Sequence, residues 1–129
     1  MTPNATASAQ RFRAAIEAGD IAAATALFTE DAVFNSPVVH KPYQGREPLG
    51  QILRAAFTVF ENFRYTAEYS GPGGHVLEFA ARVDDLQVHG VDILRAGGAD
   101  GMLTELTVLV RPYSAATALR GRMAASLSG

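Results

Sequence analysis

Hydrophobic positions along the chain change their period near Asn62, which divides the sequence into a helical part and a stranded part. Before that point Phe12, Ala15, Ile16 and Ala18 recur at helical spacing and Gly19 is a helix stop, so a first helix is expected from about Thr6 to Gly19. Asp20 offers an N-cap for a second helix, Ile21 to Phe28, whose alanines favour close packing on the first. Thr29-Glu30-Asp31 reads as a polar break, followed by a short strand, Ala32-Val33-Phe34-Asn35-Ser36, that Pro37 stops. Three prolines and Gly45 between Pro37 and Pro48 predict a loop with little regular structure, of the kind that walls a site. A third helix opens around Glu47-Pro48 and carries a broad apolar stripe of Leu49, Ile52, Leu53, Ala56, Phe57 and Phe60.

Beyond Glu61-Asn62 the pattern shortens to a period of two and to brief apolar runs. Strands are expected at Phe63 to Ser70, Val76 to Val83, Gln87 to Ala96 and Met102 to Val110. Between them stand the turn signals Gly71-Pro72-Gly73-Gly74, Asp84-Asp85 and Gly97-Gly98-Ala99-Asp100-Gly101, which predict an antiparallel meander. Arg111-Pro112 closes the sheet, and Ser114 is a candidate cap for a last helix from Ala115 to about Leu127. Helices first and strands afterwards imply an α+β fold, a curved antiparallel sheet wrapped around N-terminal helices, in a single domain covering residues 1–129. Residues 1 to 5 read as a frayed leader.

Asp92 breaks the pattern. It lies between Val91 and Ile93 in a strand rich in β-branched residues, where a carboxylate has no structural purpose. Turned inward, burial would disfavour its ionised form and make it a proton donor or a polar anchor for a ligand; turned outward, or satisfied by a backbone amide or a tyrosine, it would be structural. Alternation sends Val88, Gly90 and Leu94 with Asp92, and Leu106, Val108 and Val110 to the same side on the last strand. Val91, Ile93 and Leu109 then collect with Glu105 and Thr107 on the other face, apolar enough to suggest a homodimer through the outer side of the sheet.

Composition narrows the classes. Of 129 residues 48% are hydrophobic and 19% charged, so the chain is globular rather than disordered. A net charge of −2 gives no reason to expect nucleic acid or an anionic membrane as partner. Without cysteine there is no disulfide, thiolate metal site or cysteine nucleophile, and with no signal-like start the expected location is the cytoplasm. His75, assigned to a glycine-rich turn, and His89, assigned to the outer sheet face, do not pair with His40 at metal-ligand spacing. The glycine pairs are turn residues rather than phosphate cradles, so neither metal nor cofactor is expected. His40, in the loop that follows Pro37, is a candidate acid or base near Asp92 or Ser36.

Four segments, Glu17-Ala18-Gly19-Asp20-Ile21, Leu27 to Phe34, Tyr43-Gln44-Gly45-Arg46-Glu47 and Val91-Asp92-Ile93-Leu94-Arg95, resemble the nuclear transport factor 2-like superfamily, and its SnoaL-like branch above all, from about residue 8 to 112. The resemblance implies a cystatin-like cone, a strongly bent sheet around a deep pocket closed by helices. Members include steroid isomerases, polyketide cyclases, epoxide hydrolases, dehydratases and non-enzymatic carriers, so the fold does not stand for one activity. In the ketosteroid isomerases a helix tyrosine and a strand aspartic acid form the oxyanion hole, while an aspartate before a proline moves the proton. Here Asp92 matches the strand acid, Phe12 stands for the tyrosine, and Ser36, before Pro37, stands for the base. Arg82-Val83-Asp84 echoes the Arg-x-Asp of the limonene epoxide hydrolases, but it abuts a turn, and Val108 stands where they have a further aspartate. The expected site therefore has Asp92, with Ser36 and His40 at its mouth, and a lining of Phe12, Ile16, Phe34, Leu53, Phe57, Phe79, Gly90, Leu106 and Val108 for a small, largely apolar ligand. An isomerase, cyclase or dehydratase and a non-catalytic binding or accessory module both remain open.

Overall fold

A computed structural model describes residues 5–97 and 101–128. The first helix, α1 (Ala5–Glu17), stops where Gly19 turns the backbone to φ +74°. Asp20 then accepts the Ala23 N–H at 3.1 Å and starts α2 (Ile21–Ala26), as its N-cap position predicts. This helix is two residues shorter than expected. Phe28 already belongs to β1 (Phe28–Asn35), because Leu27 and Phe28 are drawn into pairing with a strand at the far end of the chain, and the Leu103 N–H donates to the Leu27 carbonyl at 3.0 Å. The polar break Thr29-Glu30-Asp31 is therefore strand, with its two carboxylates in water.

Tyr43–Gln44 form a two-residue strand, β2, paired antiparallel to β1 and giving the proline loop more regularity than its composition predicts. Next, α3 (Arg46–Val59) buries Leu49, Gly50, Ile52 and Ala55. The meander follows as β3 (Glu61–Gly71), β4 (Gly74–Val83), β5 (Leu86–Ala96) and β6 (Leu103–Arg111). These strands match the predicted set, although Gly98, Ala99 and Asp100 of the last predicted turn lie outside the described residues, as do residues 1–4 of the predicted leader. The last helix, α4 (Tyr113–Ser128), begins before Ser114, which is thus inside the first turn. Its opening backbone bond runs from the Ala116 N–H to the Pro112 carbonyl.

The six strands form one open, curved, mixed sheet in the order β2-β1-β6-β5-β4-β3, with β1 and β6 parallel and every other pair antiparallel. Alternation is strict on β4, where His75, Leu77, Phe79, Ala81 and Val83 are all buried. His75 is thus a strand residue on the inner face, 3% exposed, and not a turn residue. The same face of β5 carries Val88, Gly90, Asp92 and Leu94, as predicted. Helix α1 lies across this concave side, where Phe12 meets Phe28 edge-on at 5.8 Å, while α3 and α4 pack on each other and close the other end. Among the described residues no helix is long and apolar enough to cross a membrane.

Candidate functional site

Between the concave sheet and the helices lies a cavity of about 570 Å³. Its depths are apolar: Phe12, Ile16 and Ile21 from α1 and α2, Phe34 from β1, Ile52 from α3, Phe79 from β4 and Leu119 from α4 are all buried. One wall is an aromatic cluster in which Phe63 meets Phe79 at 4.8 Å, Phe60 at 5.7 Å and Tyr65 at 5.0 Å. At the mouth the exposed side chains Val39, Phe57 and Leu127 form an apolar rim.

Into this surface projects the carboxyl of Asp92, whose residue is 7% exposed. The strands beside it offer only carbon: Leu77 faces it from β4 and Val108 from β6. Its hydrogen bond comes from the Tyr65 hydroxyl, which donates to Asp92 Oδ2 at 2.8 Å. Tyr65 on β3 pairs with Phe79 on β4, and Phe79 with Gly90 on β5, so the phenol reaches diagonally across β4 to Asp92. Burial pushes the Asp92 carboxyl up to about 7, and the Tyr65 bond pulls the other way without reversing it. Burial, and then the neighbouring Asp92, hold the Tyr65 hydroxyl well above its ordinary range. Below about pH 7 the pair is therefore a neutral carboxylic acid braced by a neutral phenol.

Tyr65 is braced in turn. The Arg13 guanidinium stands 5.7 Å from its ring centre, and Arg13 bonds both Glu17, at 3.2 Å, and Glu68. Glu68 also receives Gln10 and sits 3.2 Å from His75 Nε2, so Tyr65 is fastened by a polar cluster of which only Glu17 reaches the cavity lining.

The model of the SnoaL-like domain family matches residues 9–106. This chain belongs to that family. A steroid delta-isomerase from Pseudomonas aeruginosa is similar to this SnoaL-like protein at 34% identity over 99% of this chain and 96% of the other, with a TM-score of 0.90. An uncharacterised protein with a cystatin-like fold from Silicibacter pomeroyi DSS-3 is 31% identical over 92% of this chain and 83% of its own, with a TM-score of 0.85. An NTF2-like protein of unknown function from Cytophaga hutchinsonii ATCC 33406 is 16% identical over 88% and 96% of the two chains, and at a TM-score of 0.67 it shows the shared fold. No curated protein matches the chain.

The SnoaL-like cone brings together most of the residues singled out from sequence. Asp92, Ser36, Phe12, Ile16, Phe34, Leu53, Phe57, Phe79 and Val108 all face the cavity. Three others do not. His40 is exposed on its loop, because Val38 and Val39 take the apolar wall and leave the imidazole in water. Leu106 is fully buried in the core, paired across the sheet with Leu94, behind the lining. Gly90 leaves no room for a ligand, since Phe79 fills it: a Cβ there would lie 2.5 Å from Phe79 Cζ and 2.6 Å from the Leu109 carbonyl oxygen. Ser36 lines the cavity, but its Oγ accepts the Val38 N–H at 3.1 Å and organises the loop. Arg82 and Asp84 pair with Glu61 and Arg122, away from the lining. Sequence reading missed Tyr65, Phe63 and Tyr43, and the contribution of α4 through Leu119, Arg120, Met123, Ala124 and Leu127. The helical spacing of those α4 residues is visible in the sequence, although its partner surface is not. Among the described residues no group of three or more histidine, aspartate and glutamate side chains is placed to hold a metal ion.

Proposed function

We propose that the cone binds a small, largely apolar molecule and that protonated Asp92 donates a hydrogen bond to an oxygen of that molecule. The observation carrying this reading is a carboxyl almost sealed from water in an apolar cavity, with Tyr65 bonded to Oδ2. Oδ1 is then the atom to hold the proton and point it at a ligand. A neutral acid beside a carbonyl stabilises negative charge that builds on the carbonyl oxygen, and apolar walls strengthen the effect because water is not there to screen it. That is the requirement of enolate chemistry, as in isomerase, cyclase or dehydratase reactions. The cavity volume lies in the ~300–1,000 Å³ range of pockets for drug-sized ligands. Likeness to a protein called a steroid delta-isomerase supports a rigid ketone as ligand.

A specific observation favours a second, non-catalytic reading. Proton abstraction needs a base, yet Ser36 is no base, and the other carboxylate of the lining, Glu17, is at the exposed rim in an ion pair with Arg13. A Δ5-3-ketosteroid separates the two readings. Catalysis predicts growth of the conjugated-enone absorbance, reduced about 10²–10³-fold in Asp92→Asn, the usual loss for one oxyanion-stabilising donor. Tight binding without enone formation supports the carrier reading, and failure to bind any apolar ketone removes both. We further propose that the convex sheet face, where Leu109 is 51% exposed, meets a second copy of the chain; a single 13.7 kDa species in sedimentation would refute it.

A further inference from the structure

The charge carried by the cavity wall bears on what kind of molecule fits it. Three lining residues other than tyrosine are ionisable: Glu17, Asp92 and Arg120. Glu17 is paired with Arg13, whose Nε lies 3.2 Å from its carboxylate and which Glu68 shares. Asp92 is sealed at the bottom, with Tyr65 as its partner. Arg120 differs from both.

Helical spacing places Arg120 on the same stripe of α4 as Met123, Ala124 and Leu127, and all four line the cavity. The stem of an arginine can cover the head of such an apolar stripe, but its guanidinium finds no partner among carbon. Among the described residues the Arg120 side chain forms no hydrogen bond or ion pair, whereas Arg122, on another side of the same helix, holds Asp84 at 2.6 Å. Arg120 is an exposed lining residue, so its unpaired guanidinium stands where the cavity opens to water, whereas Asp92 is buried. Arginine at such a place presents several fixed donors, well matched to a carboxylate or another oxyanion.

Resting on the ligand-binding reading above, we infer that the ligand is an amphipathic acid: an apolar body in the cone, an uncharged oxygen toward Asp92, and an anionic group at the mouth against Arg120. The orientation follows from the same arrangement, since an anion at the inner end would lose its water without gaining a cation.

Two fluorescent probes with the same aromatic body, 1-pyrenebutyrate and 1-pyrenebutanol, test this at pH 6, where the butyrate is ionised. The full-length protein is expected to bind the butyrate about fivefold more tightly than the alcohol, the scale of one partly exposed charge pair. In Arg120→Gln that preference falls to about one, in Arg120→Lys a preference is kept, and in 0.5 M salt the wild-type preference shrinks. Equal binding of both probes by the wild type, or an undiminished preference in Arg120→Gln, overturns the inference and leaves the cavity reading standing. Binding of neither probe overturns both.

Discussion

Two tyrosine–carboxylate pairs occupy opposite faces of the same sheet. Inside, Tyr65 donates to Asp92 at 2.8 Å; outside, Tyr69 donates to Glu78 at 3.0 Å. The hydrogen bond lowers the carboxyl in each case, yet the two acids move in opposite directions. Asp92 is pushed up to about 7 because burial outweighs the bond, whereas Glu78 goes down because His89, 2.6 Å away, and then Tyr69 stabilise its charge in contact with water. The same pairing thus gives a proton holder on one side and a fixed anion on the other, and access to water decides which.

The largest way to break this comparison is pH. Asp92 binds its proton more tightly folded than unfolded, so stability associated with it is fully present below the ordinary carboxylate range and is lost as pH rises through about 7. A carboxyl raised from its ordinary value to about 7 corresponds to roughly 4 kcal/mol. Denaturant unfolding of wild type and Asp92→Asn between pH 4 and 9 should therefore show the wild type losing ground by up to that amount, with the slope concentrated below about pH 7. Parallel profiles would mean that Asp92 titrates as a solvated acid. Measured against Glu78→Gln, the wild type should lose no ground with rising pH, because a depressed carboxyl on the outer face gives up its contribution as pH falls.

A smaller effect comes from the floor on which the inner pair rests. Gly90→Ala forces Phe79 and the β6 backbone apart and should cost about 1–3 kcal/mol in the same measurement, the usual range for overpacking, whereas Gln87→Ala, at an exposed position of β5, should stay within about 0.5 kcal/mol. Smallest is the loss of each phenol. Tyr65→Phe should cost about 1 kcal/mol and raise the Asp92 titration midpoint, read from its carboxyl carbon resonance, while Tyr69→Phe should leave stability nearly unchanged and the inner midpoint where it was. An equal response to both would erase the difference between the faces.

These pairs also show what the sequence can carry. Asp92 was legible as an anomaly because its neighbours are apolar and β5 alternates without interruption. The stripe of α3 and the four strands of the meander were legible for the same reason: one period, many repeats. Tyr65 was not. Tyr65 and Tyr69 are four residues apart, and strict alternation would put them on one face. A bulge between Tyr65 and Ala67, where Tyr65 pairs with Phe79 but Ala67 with Glu78, reverses the parity and sends them to opposite sides. The start of β1 was hidden differently: Thr29, Glu30 and Asp31 are polar because they are half-buried or exposed, and they are held in the strand by Phe28 and Val33 on either side, which pair with residues far along the chain across an irregularity in register. His40 and Leu106 misled because a loop position and an inward parity give direction but not depth.

That distant pairing has a kinetic meaning. Phe28 finds its place beside Leu103, so the first strand has no seat on the meander until β6 has been made. A meander from β3 to β6 can assemble locally, hairpin by hairpin, while the amino-terminal third waits. The chamber is consequently finished last, when its opening and closing segments meet.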